Sequence, residues 1–328
     1  MRDFAKILEA IGEGRNFLIS THLNPDGDAI GSELALFHLL RNLNKDVQAI
    51  NKQGVPALFS FLPGSDQVEL PEALNPPYDC SFALDCGQPD RTGGVVTVGE
   101  ENRGTIINID HHTTNYPWAD LNWVDVEASS TAEMIHMLIT SLIDKPDLDM
   151  ACCVYTGLMT DTGSFRYSNT SSRALGLATE LVEMGVDPSF IATRVYDTTT
   201  YKTLKLLGLT LEDLGMTEDG LVAWITVPRA SLERTGTTWE ATEEFINFPR
   251  AIPTVKIAIF FKEITPEEIK VSFRSKGRVN VSRVAHRHGG GGHINAAGCT
   301  LRGSLTEVRQ QIISEVSREL LEYRGEEE

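Results

Sequence analysis

Through the first half of this chain, short β-rich runs alternate with stretches of helical periodicity, and that alternation admits few folds. Residues 16–21 read as a strand, a polar loop follows at 22–28, and residues 30–43 carry apolar side chains at helical intervals. Further strands are predicted at 46–51, at 80–84 ending on Asp85, and at 105–109 ending on Asp110. Such alternation is the sequence form of βαβ units, so the expectation is an α/β domain, a mostly parallel sheet with helices on both faces. In open parallel sheets ligands bind beyond the carboxyl ends of the strands, which lets polar clusters far apart in sequence converge. Three of the predicted strands end in such clusters.

Helices are predicted at 130–143, 150–160 and 172–184, with Gly185 as a C-cap and Asp187-Pro188 opening the next segment. The first domain is therefore placed at 1–188. Residues 189–212 read as a helical connector, polar on one face from Phe190 to Leu211. From Leu221 the pattern changes to strands at 221–227, 255–261 and 269–273, and residues 305–323 form an amphipathic helix. These make 213–328 a second, smaller α/β domain, and two domains are the ordinary expectation for 328 residues.

Charge and cysteine usage narrow the function. Twenty-nine Lys and Arg against 46 Asp and Glu leave a net charge of −17, which disfavours coating of duplex DNA or of an anionic membrane. No run approaches the roughly 20 apolar residues that span a bilayer, and residues 1–15 lack the apolar core of a signal peptide, so a cytoplasmic location is expected. Cys80, Cys86, Cys152, Cys153 and Cys299 never fall in a CxxC spacing, which argues against a disulfide framework or a thiolate zinc site and for buried thiols.

The chemistry-bearing residues sit at the strand ends. His22-x3-Asp26-x-Asp28 puts one imidazole and two carboxylates within seven residues, with a glycine between the acids to let the loop turn. Oxygen and imidazole donors without thiolate suit Mn²⁺, Mg²⁺, Fe²⁺ or Zn²⁺, and a carboxylate-rich set leans to Mn²⁺ or Mg²⁺. The same string also reads as an Asx turn capping the next helix. Asp85 closes one apolar strand, and Asp110-His111-His112 closes another. Consecutive side chains point different ways, so one imidazole of that pair can bind metal while its neighbour faces substrate. Asp161, just past a predicted helix end, is a fourth candidate that also reads as a simple cap.

In order and spacing these residues resemble the DHH phosphoesterase superfamily, named for the triplet seen here as Asp110-His111-His112. The string from His22 to Ser32 resembles the family's first motif, Asp85 its second and Asp161 its fourth. Phe273-Arg274-Ser275, the stretch 279–285 and the run from Gly289 to Gly298 resemble the associated C-terminal substrate domain, so the likeness covers nearly the whole chain. The compact length and the string from Gly163 to Tyr167 look most like the bacterial oligoribonucleases (nanoRNases) that also dephosphorylate 3′-phosphoadenosine 5′-phosphate (pAp).

The resemblance implies a two-domain enzyme with an active-site cleft between its lobes and two divalent cations, Mn²⁺ foremost and Mg²⁺ as the alternative. One cation would be held by His22, Asp26 and Asp85, the other by Asp28, Asp85, His111 and Asp161, with Asp85 as the bridge. Water activated there would attack phosphorus. Asp110 would orient an imidazole and fix its tautomer, and His112 would face the substrate phosphate. The implied activity is hydrolysis of very short RNA to mononucleotides together with pAp dephosphorylation. The same metals would also serve pyrophosphate, a cyclic dinucleotide or single-stranded DNA, and a different class altogether is a non-catalytic nucleotide-binding protein. Members of the family often form homodimers, although no stripe in this sequence marks a dimer face.

The second domain carries its own anion signal. Between Lys270 and Thr306 there is no Asp or Glu, while Lys270, Arg274, Lys276, Arg278, Arg283, Arg287 and Arg302 are all cationic. Within it, the N–H groups of Gly290, Gly291 and Gly292 offer close approach to a phosphate, followed by His293 as a donor. Arg274 is expected to make a bidentate phosphate contact, which suits guanidinium better than ammonium. Arg166 is a second candidate that would serve equally as a surface partner for an acid. One local patch fits short RNA and nucleotides, whereas long strands would need a continuous basic track. His288 stands where the family usually carries Phe. Trp118, Trp123, Trp224 and Trp239 are read as core or rim residues.

Overall fold

Strand β1, Asn16–Thr21, is buried over all but its first residue, the mark of a strand covered on both faces. In the computed structural model, which describes residues 2–97 and 102–327, it is the centre of a six-stranded parallel sheet. The others are β2 (Asp46–Ile50), β3 (Val68–Glu69), β4 (Cys80–Leu84), β5 (Thr105–Asp110) and β6 (Leu121–Val124), in the order β3-β2-β1-β4-β5-β6. The order reverses between β1 and β4, and open sheets of this kind bind ligands at that switch point.

Helix α1 (Arg2–Glu13) precedes β1, and α2 (Gly27–Asn42) makes the crossover from β1 to β2. After β6 come α3 (Thr131–Leu142), α4 (Leu148–Asp161), α5 (Ser172–Glu183) and α6 (Pro188–Tyr196). Phe17 and Ile19 of β1 join Phe82, Ile107 and Ile109 in one core with apolar residues of these helices. Leu18 and Ile50 point to the opposite face, where Tyr78 and Val95 cover them from loop and 3-10 segments.

Backbone contacts separate Met1–Thr198 from Thr199–Glu328. The helical run expected at 190–211 is two helices, α6 and α7 (Tyr201–Glu212), because the chain leaves helical geometry at 197–200 and Thr200 caps a new start. One helix belongs to each unit. The second unit holds β7 (Gly215–Met216), β8 (Val222–Val227), β9 (Ile257–Thr265), β10 (Glu268–Ser275), β11 (Gly291–His293) and β12 (Ala296–Arg302) in the order β11-β12-β10-β9-β8-β7. Only the β8–β9 pairing is parallel. Helices α8 (Arg229–Thr235), α9 (Asn247–Ala251), α10 (Ser282–Arg287) and α11 (Leu305–Glu327) complete it. Among the described residues no helix is long and apolar enough to cross a membrane. Four of the cysteines are buried and Cys152 is half-buried. Trp123 is buried, and Trp118, Trp224 and Trp239 are half-buried.

Candidate active site

The carboxyl ends of β1, β4 and β5, neighbours at the switch point, deliver His22, Asp85 and Asp110 to one place. Asp85 leaves β4 with φ of 55°, a left-handed conformation that Asp tolerates better than most residues, while its N–H still bonds Ile109 O. Asp26 is the N-cap of α2, accepting from the N–H groups of Asp28 and Ala29, so the capping reading of this loop holds for a carboxylate that also lies beside His22. Gly27, expected from its place between the acids to let the loop turn, does not serve a turn. It is the first residue of α2, and a Cβ there would fall 2.4 Å from Thr160 Oγ1 of α4. That close approach brings Asp28 of α2 near Asp161, the last residue of α4.

The side chains converge around Asp85. Its Oδ2 lies 3.4 Å from His22 Nε2, and its Oδ1 lies 3.7 Å from His111 Nε2 and 3.5 Å from His112 Nδ1. His111 Nε2 is also 3.8 Å from Asp28 Oδ2 and 3.6 Å from Asp161 Oδ2, and His22 Nε2 is 3.9 Å from Asp26 Oδ1. Three sets, His22-Asp26-Asp85, Asp28-His111-Asp161 and Asp85-His111-His112, each keep their donor atoms within 4.8 Å of one another.

The imidazoles of His22 and His111 are held from behind. His22 Nδ1 faces Leu23 O at 2.9 Å and His111 Nδ1 faces Ala128 O at 3.2 Å. A carbonyl can only accept, so each Nδ1 donates there and each Nε2 is the ring nitrogen that faces the carboxylates. This is the arrangement that metal-binding histidines require, and the residues present fit a divalent cation set. His112 differs: its Nδ1 contacts Asp110 Oδ1 at 2.6 Å. Asp110 also accepts from the N–H of His111 and, at 2.5 Å, from Asn115 Nδ2, and Asn115 donates on to Asn108.

Helix α3 supplies a support that the sequence reading missed. Its N-terminal N–H groups, from Thr131 and Ala132, donate to Asp28 Oδ2 and Oδ1 at 2.6 and 2.9 Å, and Thr131 Oγ1 donates to Asp85 Oδ1 at 2.9 Å. The cap is readable in hindsight: Ser130 accepts from Glu133 N, and Glu133 reaches back to Ser129 N, a pairing signalled by Ser-x-x-Glu. Asn169 Nδ2 contacts Asp161 Oδ2 at 3.1 Å and Ser129 O at 3.0 Å.

The charges are in conflict. Burial pushes Asp28 well above the usual carboxylate range, aided by Asp85, Asp161 and Asp26 against the α3 N–H groups. Burial likewise raises Asp161 to about 7, despite His111. For Asp85 burial acts upward, but the bond to His22 and the fields of His112, His22 and His111 outweigh it and hold the group well below its ordinary value. His112 is raised to about 9: burial opposes protonation, and the bond to Asp110 with the charges of Asp85, Asp110 and Asp161 overcomes it. Divalent cations would relieve this crowding of acids.

The other candidates have local surroundings of their own. Arg166 is exposed, with Nε donating to Gly163 O at 2.6 Å. In the second unit, Arg274 lies on β10 opposite Ala258 and Ala296, its Nη1 donating to Phe273 O. Gly291–His293 is strand β11 and not an open loop, and Gly290 N donates to Ala285 O. A Cβ on Gly290 would meet Gly298 O at 2.2 Å, so packing against β12 already requires glycine there. The side chain of His293 lies outside the described residues. The basic stretch is also less basic than its composition: Glu319, 4% exposed, takes both Arg283 and Arg287, and His288 bonds Glu315 at 2.8 Å.

Comparison with known proteins agrees with these features. The model of the DHH family N-terminal domain matches residues 16–158, and that of the DHHA1 domain matches 220–322. Over 322 residues, 98% of this chain and 94% of the relative, the sequence is 34% identical to the Thermus thermophilus protein named bifunctional oligoribonuclease and PAP phosphatase NrnA. This chain belongs to the DHH family. A Bacillus subtilis DHH relative of the same name is 29% identical over 304 residues, covering 90% of this chain and 92% of the relative. Among solved structures, an exopolyphosphatase-related protein from Bacteroides fragilis has a TM-score of 0.91 at 28% identity, with 98% of this chain and 97% of that one covered.

Proposed function

We propose that this chain is a divalent-metal-dependent phosphoesterase that hydrolyses short oligoribonucleotides to mononucleotides and removes phosphate from pAp. The observation that carries the reading is the carboxylate of Asp85, whose two oxygens face different histidines, Oδ2 toward His22 and Oδ1 toward His111. A carboxylate so shared suits a pair of cations, one with His22 and Asp26, the other with Asp28, His111 and Asp161. The carboxylate-rich donor set favours Mn²⁺, with Mg²⁺ second. The names of the full-length DHH relatives support the substrate class.

When bound, the cations supply an acidified water and offset the negative charge of the phosphoryl oxygens. The chain does the rest. Helix α3 fixes Asp28 and Asp85, and the carbonyls of Leu23 and Ala128 fix the tautomers of His22 and His111. His112, held through Nδ1 by Asp110, carries a proton at Nε2 for the oxygen that leaves. Arg274 and Arg166 are assigned to phosphate contacts of the substrate.

The test is product analysis with Mn²⁺ on an RNA dinucleotide, a long RNA of roughly 24 residues, chosen as well beyond a short pocket, and pAp. Mononucleotides from the dimer and AMP from pAp, with the long RNA nearly untouched, are the expected result. Inertness on all three would overturn the reading.

A further inference from the structure

We propose that Arg91 is a substrate-binding residue that contacts a phosphate adjacent to the one that reacts. This rests on the phosphoesterase reading above. Arg91 lies in the 3-10 turn Pro89–Thr92, a few residues after Asp85, and its carbonyl accepts the N–H of Leu23 at 2.6 Å. The turn ends on Gly93, with φ of 62°, where a Cβ would come within 2.9 Å of both Leu23 and Lys52. The backbone of Arg91 is thereby packed against the loop that carries His22.

The guanidinium continues in the same direction, with Nη2 3.4 Å from His22 Nδ1. Whether the two are hydrogen-bonded depends on which ring nitrogen carries the proton. Nδ1 donates to Leu23 O, and Nε2 faces Asp26 and Asp85. A protonated Nδ1 cannot accept, so His22 does not use up the donors of Arg91. Among the described residues no carboxylate forms an ion pair with Arg91, and the side chain is exposed. In a chain of net charge −17, beside a pocket crowded with acids, a guanidinium without an acid partner is an unusual provision.

Its planar fork matches a phosphate. Its position says which one. Nδ1 is on the side of the His22 ring away from the carboxylates, so the guanidinium stands an imidazole's width outside the donor cluster. A phosphoryl group engaged with the cluster would leave Arg91 facing the next anionic group along the substrate. That group is the neighbouring phosphate of a 5′-phosphorylated dinucleotide or the second phosphate of a bisphosphate.

The experiment uses the full chain with Arg91→Ala and Arg91→Lys. Steady-state kinetics with Mn²⁺ compare ApA with 5′-phosphorylated ApA, and calorimetry compares binding of adenosine 3′,5′-bisphosphate with adenosine 5′-monophosphate. In Arg91→Ala, KM for the phosphorylated dinucleotide should rise at least about tenfold more than KM for ApA, with kcat changed far less and Lys restoring part of the loss. In binding, the wild type should favour the bisphosphate and Arg91→Ala should lose about tenfold of that preference. Equal losses on both dinucleotides, a loss confined to kcat, or an unchanged bisphosphate preference would each overturn the assignment. If the wild type turned over neither dinucleotide, the phosphoesterase reading would fail, and the binding comparison would still decide the role of Arg91.

Discussion

Thr131 donates from Oγ1 to Asp85 at 2.9 Å while its main-chain N–H holds Asp28 at 2.6 Å, so one residue at the start of α3 fixes two carboxylates delivered by β4 and α2. Replacing it by Val keeps the shape and the N–H but removes the hydroxyl. Mn²⁺ affinity, measured by calorimetric titration, should fall about 10- to 100-fold in Thr131→Val and largely return in Thr131→Ser. An unchanged affinity in the Val variant would show that the hydroxyl does not orient Asp85.

Without cations the cluster should make the protein less stable as pH rises. The folded-state carboxyl of Asp161 is raised from 3.8 to about 7, so its contribution is fully present below about pH 4 and lost on the way to neutrality. Asp28 is shifted in the same direction, and His112, raised from 6.5 to about 9, favours folding below about pH 6.5 and loses that contribution by about pH 9. Thermal melts in chelator should therefore show Tm falling between about pH 5 and 9, and added Mn²⁺ should raise Tm more at the upper end. A metal-free Tm that rose over that interval would contradict these shifts.

Gly157 of α4 is packed against both α3 and a carboxylate of the cluster: a Cβ there would lie 2.5 Å from Ala132 Cβ and 2.9 Å from Asp28 Oδ1. Gly157→Ala is expected to cost about 1–3 kcal/mol and to weaken divalent binding. Gly176 of α5 has nothing within 4 Å of the same position, so Gly176→Ala should be neutral or stabilising by up to about 1 kcal/mol. Denaturant unfolding of the pair separates crowding from helix propensity, and equal effects would refute the packing argument.

In the second unit, Glu319 of α11 is buried and ties down Arg283 and Arg287 of α10, the helix that leads into the glycine run. Both arginines remain partly solvated, so Glu319→Ala should lower stability by only about 1–2 kcal/mol, read as a drop in denaturation midpoint, while Mn²⁺ affinity stays as in the wild type. A loss of metal binding would mean that this latch does more than support its own unit.

The carboxylate and histidine cluster was legible because its residues carry chemistry and stand where strands stop. His22, Asp85 and Asp110 follow directly from the strand ends, and the structure brings them together with Asp26, Asp28, His111 and Asp161. The supports were not legible. Thr131, Asn115 and Asn169 look like any capping or turn residue until the fold sets them against a carboxylate. Gly27 was read through its neighbours in sequence, whereas its partner Thr160 lies more than a hundred residues away. The partners of Arg283, Arg287 and His288 were not legible for the same reason, since Glu315 and Glu319 come after the basic stretch in the chain. Strand β12 escaped notice because Ala296-Ala297-Gly298 lacks the β-branched and aromatic residues that mark a strand.

The most direct test of the two-cation account is to count bound Mn²⁺ and measure dinucleotide turnover for the wild type and Asp85→Asn side by side. The account predicts two ions per wild-type chain, with weakened binding and loss of turnover by at least about a thousandfold in the variant. Near-full turnover by Asp85→Asn would contradict it.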